Sequence, residues 1–252
     1  MRKNQVLSLF QQNQTAINCW LIHPSPMTAE LIAHQGFDSI TIDMQHGMIG
    51  FESALAMLQA ISTTPVTPLV RVPWLEPGII MKMLDAGAYG VICPMIETAE
   101  QTREFVATCR YPAKGNRSFG PSRAMIYAGS DYPEKAEETI LPMVMIETRQ
   151  ALDNLDDILS TEGLGAIYIG PFDLSYALGC QPQPDHYEAP VMEAIEHILA
   201  RSKKHNVPAA IHCMGPQFAD RMRKKGFSLV TAGCDADFVR AGATHTIQSL
   251  RQ

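Results

Sequence analysis

Several things are scarce or missing in this chain, and each absence closes a class of explanation. The sequence has no Cys-x-x-Cys pair. Its six cysteines (Cys19, Cys93, Cys109, Cys180, Cys213, Cys234) are scattered, several inside apolar runs, so they read as reduced, buried thiols of a cytosolic protein. No block of like charge accompanies the net charge of -6, which leaves no footprint for nucleic acid. No stretch approaches the roughly 18 apolar residues of a membrane span, and no apolar core follows Met1-Arg-Lys-Asn-Gln as it would in a secretory signal. The expectation is a soluble, cytoplasmic protein. Gly-x-Gly-x-x-Gly, Walker A, His-Glu-x-x-His and Gly-x-Ser-x-Gly are all absent, removing the usual support for dinucleotide, triphosphate, zinc-peptidase and serine-hydrolase chemistry. No lysine closes a strand-like run, and Lys82 falls in a helical stretch, which speaks against Schiff-base catalysis.

What is present is a repeat of architecture. Hydrophobic residues make up 46% of the 252 residues and charged residues 18%. Short apolar runs at 16–22, 39–43, 67–71, 90–93, 142–146, 166–169, 209–212 and 228–231 read as strands. Between them lie helical patterns at 28–35, 51–61, 78–85, 99–109, 150–159, 189–205 and 217–225, with a last one at 235–250. Near-continuous apolar strands alternating with helices argue a parallel sheet covered on both faces. A single (β/α)8 TIM barrel over residues 1–252 is the economical closure, with a doubly wound open sheet as the alternative. An irregular insertion, Arg110 to Gly120 with a polar continuation to about Thr139, follows the fourth βα unit.

If the barrel closes, its active site lies at the carboxyl ends of the strands. The residues there are Asp43, His46, Arg71, Glu147, Asp173 and His212. Glu147 and Asp173 stop buried runs, where an ionised carboxylate needs a cation or several donors. They could be oxygen ligands of a divalent ion. Equally, Glu147 could pair with Arg149 while Asp173 caps the helix after it; spacing does not separate the two readings. Arg71 suits a carboxylate or an enolate oxygen, or else a salt bridge to a strand-end acid such as Glu147. Asp43 and His46 could form an acid–imidazole dyad. The Gly170-Pro171 exit into Phe172-Asp173 offers backbone N–H groups to a carboxylate, or is only a tight turn. Lys114 and Arg117 in the insertion could attract an anion, and His212 is placed to line the mouth.

An ordered set of motifs spans nearly the whole chain: Ile42-Asp-Met-Gln-His46-Gly, Leu69-Val-Arg71, Leu84-Asp-Ala-Gly87, Pro94-Met, Arg110-Tyr-Pro with Arg117-Ser-Phe-Gly120, Ile146-Glu147-Thr-Arg and Ile169-Gly-Pro-Phe-Asp173-Leu-Ser. Together they resemble the HpcH/HpaI family of metal-dependent class II aldolases. The resemblance implies a divalent metal (Mg2+, Mn2+ or Co2+) on Glu147 and Asp173, chelating a 2-oxoacid. It implies Arg71 at the enolate oxygen and the Gly170, Pro171, Phe172, Asp173 turn at the carboxylate. It further implies His46 as the proton-handling group oriented by Asp43, with Asp85 arriving from an adjacent subunit of a hexamer built as a trimer of dimers.

Gln45 and Met145 stand where relatives acting on long dicarboxylate aldols carry Glu and Gln. The Asp-Met-Gln-His form resembles a branch of hydroxy-ketoacid aldolases that accept hydroxypyruvate as well as pyruvate. The implied reaction is reversible cleavage of a 4-hydroxy-2-oxoacid to a 2-oxoacid and an aldehyde. The alternatives are an oxaloacetate decarboxylase or CoA-ester lyase using similar chemistry, and a non-catalytic 2-oxoacid-binding protein.

Overall fold

The computed structural model describes residues 1–251. Eight strands, β1 (Ala16–Leu21), β2 (Ser39–Asp43), β3 (Thr67–Arg71), β4 (Gly90–Cys93), β5 (Leu141–Ile146), β6 (Ala166–Ile169), β7 (Ala209–Ile211) and β8 (Leu229–Cys234), pair in sequence order into a closed barrel. Every pairing is parallel, including β1 with β8. The open-sheet alternative is therefore excluded.

The helices on and around the barrel begin with α1 (Gln5–Gln11), α2 (Pro26–Ala33), α3 (Phe51–Ile61), α4 (Pro77–Asp85) and α5 (Ala99–Cys109). Then follow α6 (Ser122–Ala128), α7 (Tyr132–Thr139), α8 (Arg149–Asp153), α9 (Leu155–Leu159) and α10 (Pro171–Ala177). The last are α11 (Ala189–Lys204), α12 (Pro216–Lys225) and α13 (Asp235–Arg251).

The strand interiors are buried on both faces because one face meets helices and the other meets the barrel axis. Trp20, Leu69, Ile92, Met143, Met145, Tyr168 and Leu229 fill the axis, and Val6 of α1 closes it from below. Asn4 caps α1, accepting from the Leu7 N–H at 3.2 Å. All six cysteines are free, and all but the half-buried Cys234 are buried.

Two expectations need correcting. The polar continuation of the insertion is not irregular: it forms α6 and α7, the latter started by Pro133 in its first turn. Arg117 is not free to attract an anion. Its side chain is fully buried, donates to Asp85 Oδ1 at 2.6 Å and to the Tyr132 hydroxyl at 2.9 Å, and lies 4.5 Å over the Tyr111 ring. Lys114 is exposed and pairs with Glu137. Smaller shifts are the extension of β8 to Cys234 and the division of the expected 150–159 helix at Asn154, whose Nδ2 donates to the Glu97 carbonyl at 2.9 Å.

The C-terminal helix leaves the barrel wall. Asp235 is buried and accepts from the Ile22 and His23 N–H groups at 3.1 Å, which pins the start of α13. From Phe238 to Leu250 every residue is exposed, including Val239, Ala243, Ile247 and Leu250, which share one helical face.

Candidate active site

The mouth residues are positioned by strand register. Asp43 and Arg71 are register partners at the ends of β2 and β3 and point inward together. Arg71 donates from Nε to Asp43 Oδ1 at 2.8 Å and from Nη2 to Oδ2 at 2.6 Å, a two-point pair that is nearly sealed from solvent. Trp20 supports both partners. Its Nε1 donates to Asp43 Oδ2 at 3.1 Å, and its ring lies 4.9 Å beneath the guanidinium. Burial raises the Asp43 carboxyl, but the Arg71 hydrogen bonds and charge, with Trp20 and the Gln45 N–H, outweigh it and hold the group below the usual carboxylate range.

This arrangement corrects the expected Asp43–His46 dyad. Asp43 reaches His46 only through its backbone, accepting the His46 N–H at 3.3 Å and the Gln45 N–H at 3.0 Å. The loop is folded tightly enough that a Cβ on Gly47 would stand 2.2 Å from the Asp43 carbonyl oxygen, so only glycine fits. The His46 imidazole is left exposed at the rim. Asp85 lies elsewhere: α4 runs back down the barrel wall, so its last residue sits at the end opposite the mouth, held by Arg117.

Glu147 and Asp173 have neither of their ordinary partners. Arg149 donates to the Ala177 carbonyl, not to Glu147. Arg71 belongs to Asp43. Asp173 caps nothing, because α10 starts at Pro171 after Gly170 and has no side-chain cap. Glu147 is 2% exposed and accepts one hydrogen bond, from the Met95 N–H at 2.8 Å. Met95 adopts a left-handed φ of 56° to deliver that N–H, a conformation unusual for a residue with a side chain. Burial pushes the Glu147 carboxyl up to about 7; the Met95 N–H opposes this, the neighbouring Asp173 charge adds to it, and Arg71 offsets it only weakly. Glu147 Oε2 also lies 2.3 Å from where a Cβ on Gly170 would stand, so a side chain there would push the carboxylate aside.

A buried carboxylate short of positive charge, with a second acid beside it, fits a hard divalent ion that takes oxygen ligands and keeps positions for water or substrate. Two acids are the whole set: among the described residues no cluster of three or more His, Cys, Asp or Glu side chains could hold a metal.

His46, Arg71, Met145, Gly170, Pro171, Phe172, Asp173 and His212 line one cavity of about 130 Å³ at the mouth. Of the sequence expectations, His46, Arg71, the Gly170 to Asp173 turn and His212 meet at this cavity; Asp43 is held behind Arg71 and Glu147 is buried beside Asp173, while Asp85, Lys114 and Arg117 lie elsewhere. The remaining Arg71 nitrogen, Nη1, has only the Met145 sulfur as partner, at 3.9 Å, which leaves N–H capacity for a ligand oxygen. His212 sits edge-on to Trp20 with ring centroids 5.0 Å apart. Burial and the Arg71 charge lower its pKa to about 4, so it is neutral at physiological pH. A larger concavity, about 680 Å³, flanks α1 at the far end, where Arg2 and Lys3 are its cations and Asp38 its only acid.

Trp20 and Met95 are contributors that sequence reasoning missed. Trp20 had a weak signal, an aromatic with a polar tip near the carboxyl end of a strand. Met95 had none, because it acts through its backbone.

A closed parallel barrel with acids, an arginine and histidines gathered at the carboxyl ends of its strands has the form of a barrel enzyme. Comparison with known proteins specifies which. Residues 16–241 match the model of the HpcH/HpaI aldolase/citrate lyase family, and the chain belongs to that family of carbon–carbon lyases.

It is 39% identical over 248 residues to a hydroxypyruvate/pyruvate aldolase of Rhizorhabdus wittichii, covering 98% of this chain and 99% of that one. It is 36% identical over 243 residues to a 5-keto-4-deoxy-D-glucarate aldolase of Salmonella arizonae, covering 95% and 93%. Among solved structures, an HpcH/HpaI aldolase/citrate lyase family protein from Burkholderia cenocepacia J2315 superposes with a TM-score of 0.92 at 27% identity, over 99% of this chain and 100% of that one. The more distant citrate lyase beta subunit of M. tuberculosis, solved with oxaloacetate and magnesium, shares the fold with a TM-score of 0.56 at 14% identity, over 87% and 91%.

Proposed function

We propose that the protein is a divalent-metal-dependent aldolase that reversibly cleaves 4-hydroxy-2-oxoacids to pyruvate or hydroxypyruvate and an aldehyde. The observation that carries this reading is the juxtaposition of Arg71, with donor capacity turned to the cavity, the buried Glu147 carboxyl, which lacks a cation, and the exposed Asp173 beside it. The relatives named as hydroxypyruvate/pyruvate and 5-keto-4-deoxy-D-glucarate aldolases support the donor class, and the magnesium of the citrate lyase beta subunit supports a hard divalent ion.

Glu147 and Asp173 would hold the ion. When bound, Mg2+, Mn2+ or Co2+ supplies positive charge at the keto oxygen, where enolate charge develops. Arg71, kept rigid by Asp43 and Trp20, donates to that same oxygen, so its stabilisation grows as the carbon–carbon bond breaks. The N–H groups of the Gly170 to Asp173 turn and the cavity wall at Pro171 and Phe172 orient the substrate carboxylate. His46, exposed at the rim, takes the proton of the aldol hydroxyl in cleavage and returns it in condensation. Met145 makes the wall beside Arg71 apolar, which suits a small 2-oxoacid better than a second carboxylate.

The exposed apolar face of α13 supports the expected homo-oligomer, because an apolar stripe on a projecting helix is stabilised when another surface covers it. Asp85, preset by Arg117 at the opposite end of the barrel, would serve a neighbouring subunit's His46 in such an assembly.

The test is product identification. Metal-stripped protein is incubated with pyruvate or hydroxypyruvate and a panel of aldehydes, with and without Mn2+, and oxaloacetate is run in parallel. Metal-dependent aldol products support the reading. Activity in fully metal-free protein, or turnover of oxaloacetate alone, overturns it.

A further inference from the structure

Inside the barrel, below the cavity, runs a line of polar side chains that the proposed chemistry does not use. Asn18 on β1 stands in register with Ser39 on β2 and with Thr231 on β8. Ser39 Oγ and Thr41 Oγ1 donate to Asn18 Oδ1 at 2.9 and 3.1 Å, and Asn18 Nδ2 donates to Thr231 Oγ1 at 3.0 Å. Thr231 Oγ1 lies 2.6 Å from the Tyr168 hydroxyl, which lies 3.3 Å from Nδ1 of His212. Asn18, Ser39, Thr41, Tyr168 and Thr231 are all fully buried, out of contact with bulk solvent, so their hydrogen bonds are made to one another.

Counting donors sets the direction of this chain. A buried hydroxyl proton without an acceptor is costly. Ser39 and Thr41 have no acceptor other than Asn18 among the described residues, so the amide oxygen must face them; turning the amide over would orphan two protons where the present orientation orphans one amide hydrogen. The amide nitrogen therefore faces Thr231, whose oxygen accepts from it. The Thr231 proton then has one acceptor within reach, the Tyr168 oxygen, and the Tyr168 proton has one left, His212 Nδ1. Burial holds the Tyr168 phenol well above its ordinary pKa, so it keeps the proton it donates, and His212 is neutral and able to accept it. Nε2 of His212 has no protein partner among the described residues, yet it is not sealed from solvent. His212 lines the cavity, and with Nδ1 meeting Tyr168, Nε2 is the ring nitrogen left for a ligand.

We infer that Tyr168 is a positioning residue: linked through Thr231 to Asn18, its hydroxyl donates to His212 Nδ1, fixes the imidazole as the Nε2–H tautomer, and so presents an uncharged N–H donor to an oxygen of the bound substrate. The last step rests on the reading of the mouth as the substrate site. The tautomer does not, since it follows from contacts of the ligand-free protein.

The experiment keeps the two apart. Full-length protein labelled with 15N-histidine is examined by solid-state 15N NMR at neutral pH without ligand, and the His212 signals are assigned by their loss in His212→Gln. Wild type is expected to carry the proton on Nε2, with Nδ1 unprotonated and hydrogen-bonded. Tyr168→Phe, which keeps the ring against Trp20 5.6 Å away, is expected to redistribute the tautomers. Thr231→Val should do the same, and Thr231→Ser should restore the wild-type spectrum. A proton on Nδ1 in wild type, or spectra unchanged in both Tyr168→Phe and Thr231→Val, overturns the inference. In turnover with pyruvate as donor, Tyr168→Phe should raise KM about three- to tenfold, the loss of one neutral hydrogen bond, with kcat changed less. Altered tautomers with KM unchanged would overturn the substrate contact alone.

Discussion

Arg71 and Asp43 bind each other through two parallel hydrogen bonds of 2.8 and 2.6 Å, and this pair sets the geometry of the mouth. It consumes Nε and Nη2 of the guanidinium and aims Nη1 at the cavity. Asp43→Asn should leave metal affinity unchanged while lowering kcat roughly a hundredfold, the scale of a misplaced oxyanion donor. Asp43→Ala should also destabilise the protein by about 3 to 5 kcal/mol, since it strands a buried cation. Titration calorimetry and steady-state kinetics check the first claim; a rate within twofold of wild type would refute it.

Metal affinity should depend on pH through Glu147. Its carboxyl sits at about 7 in the metal-free protein, so below that pH a proton competes with the ion. Affinity should weaken about tenfold per pH unit below 7 and level off above it. Calorimetric Mn2+ titrations between pH 6 and 8 measure this, with Glu147→Gln expected to bind weakly and with little pH dependence.

Gly170 should tolerate no side chain. A Cβ there meets Glu147 Oε2 at 2.3 Å and the Met145 methyl at 2.8 Å, so Gly170→Ala must displace both. The expected result is metal affinity reduced more than tenfold and a stability loss of about 1 to 3 kcal/mol from overpacking. Wild-type Mn2+ binding by this variant would contradict the placement of Glu147.

His212 should shape the acid limb of stability. Its pKa falls from an ordinary 6.5 to about 4 in the fold, so the folded state binds fewer protons than the unfolded chain between those values. The stabilisation from keeping it neutral is complete above pH 6.5 and is lost as pH falls toward 4. Denaturant melts across this window should show a shallower decline for His212→Gln, by at most about 1.4 kcal/mol per pH unit. An identical slope in the variant would exclude the effect.

The projecting α13 gives a test of assembly. Replacing Ile247 and Leu250, which are 48% and 79% exposed, with aspartate should leave the barrel folded and lower the mass measured by light scattering. A wild-type mass would remove α13 from the interface.

The barrel was legible in the chain because it is written in local terms. Each strand is a short apolar run ended by a charged or polar residue, a proline or a glycine, each helix has its own period, and such units close only in a few ways. The mouth residues were legible for a related reason: a charge at the end of a buried strand, such as Arg71, Glu147 or Asp43, has no packing explanation. Which charge meets which was not legible. Asp43 chooses Arg71 over the nearer His46 because register across β2 and β3 outweighs proximity along the chain. Arg117 is drawn from an apparent loop into a fully buried pocket by Asp85 and Tyr132, partners that lie 32 and 15 residues away.

The interior line from Asn18 to Tyr168 was hidden more deeply. When both faces of a strand are buried, the alternation that would mark inward residues disappears. The sequence alone therefore determined that eight βα units would bring acids, an arginine and histidines to one end. Only closure of the barrel decided their pairing, because hydrogen-bond partners across strands depend on register and distance, which no local pattern encodes.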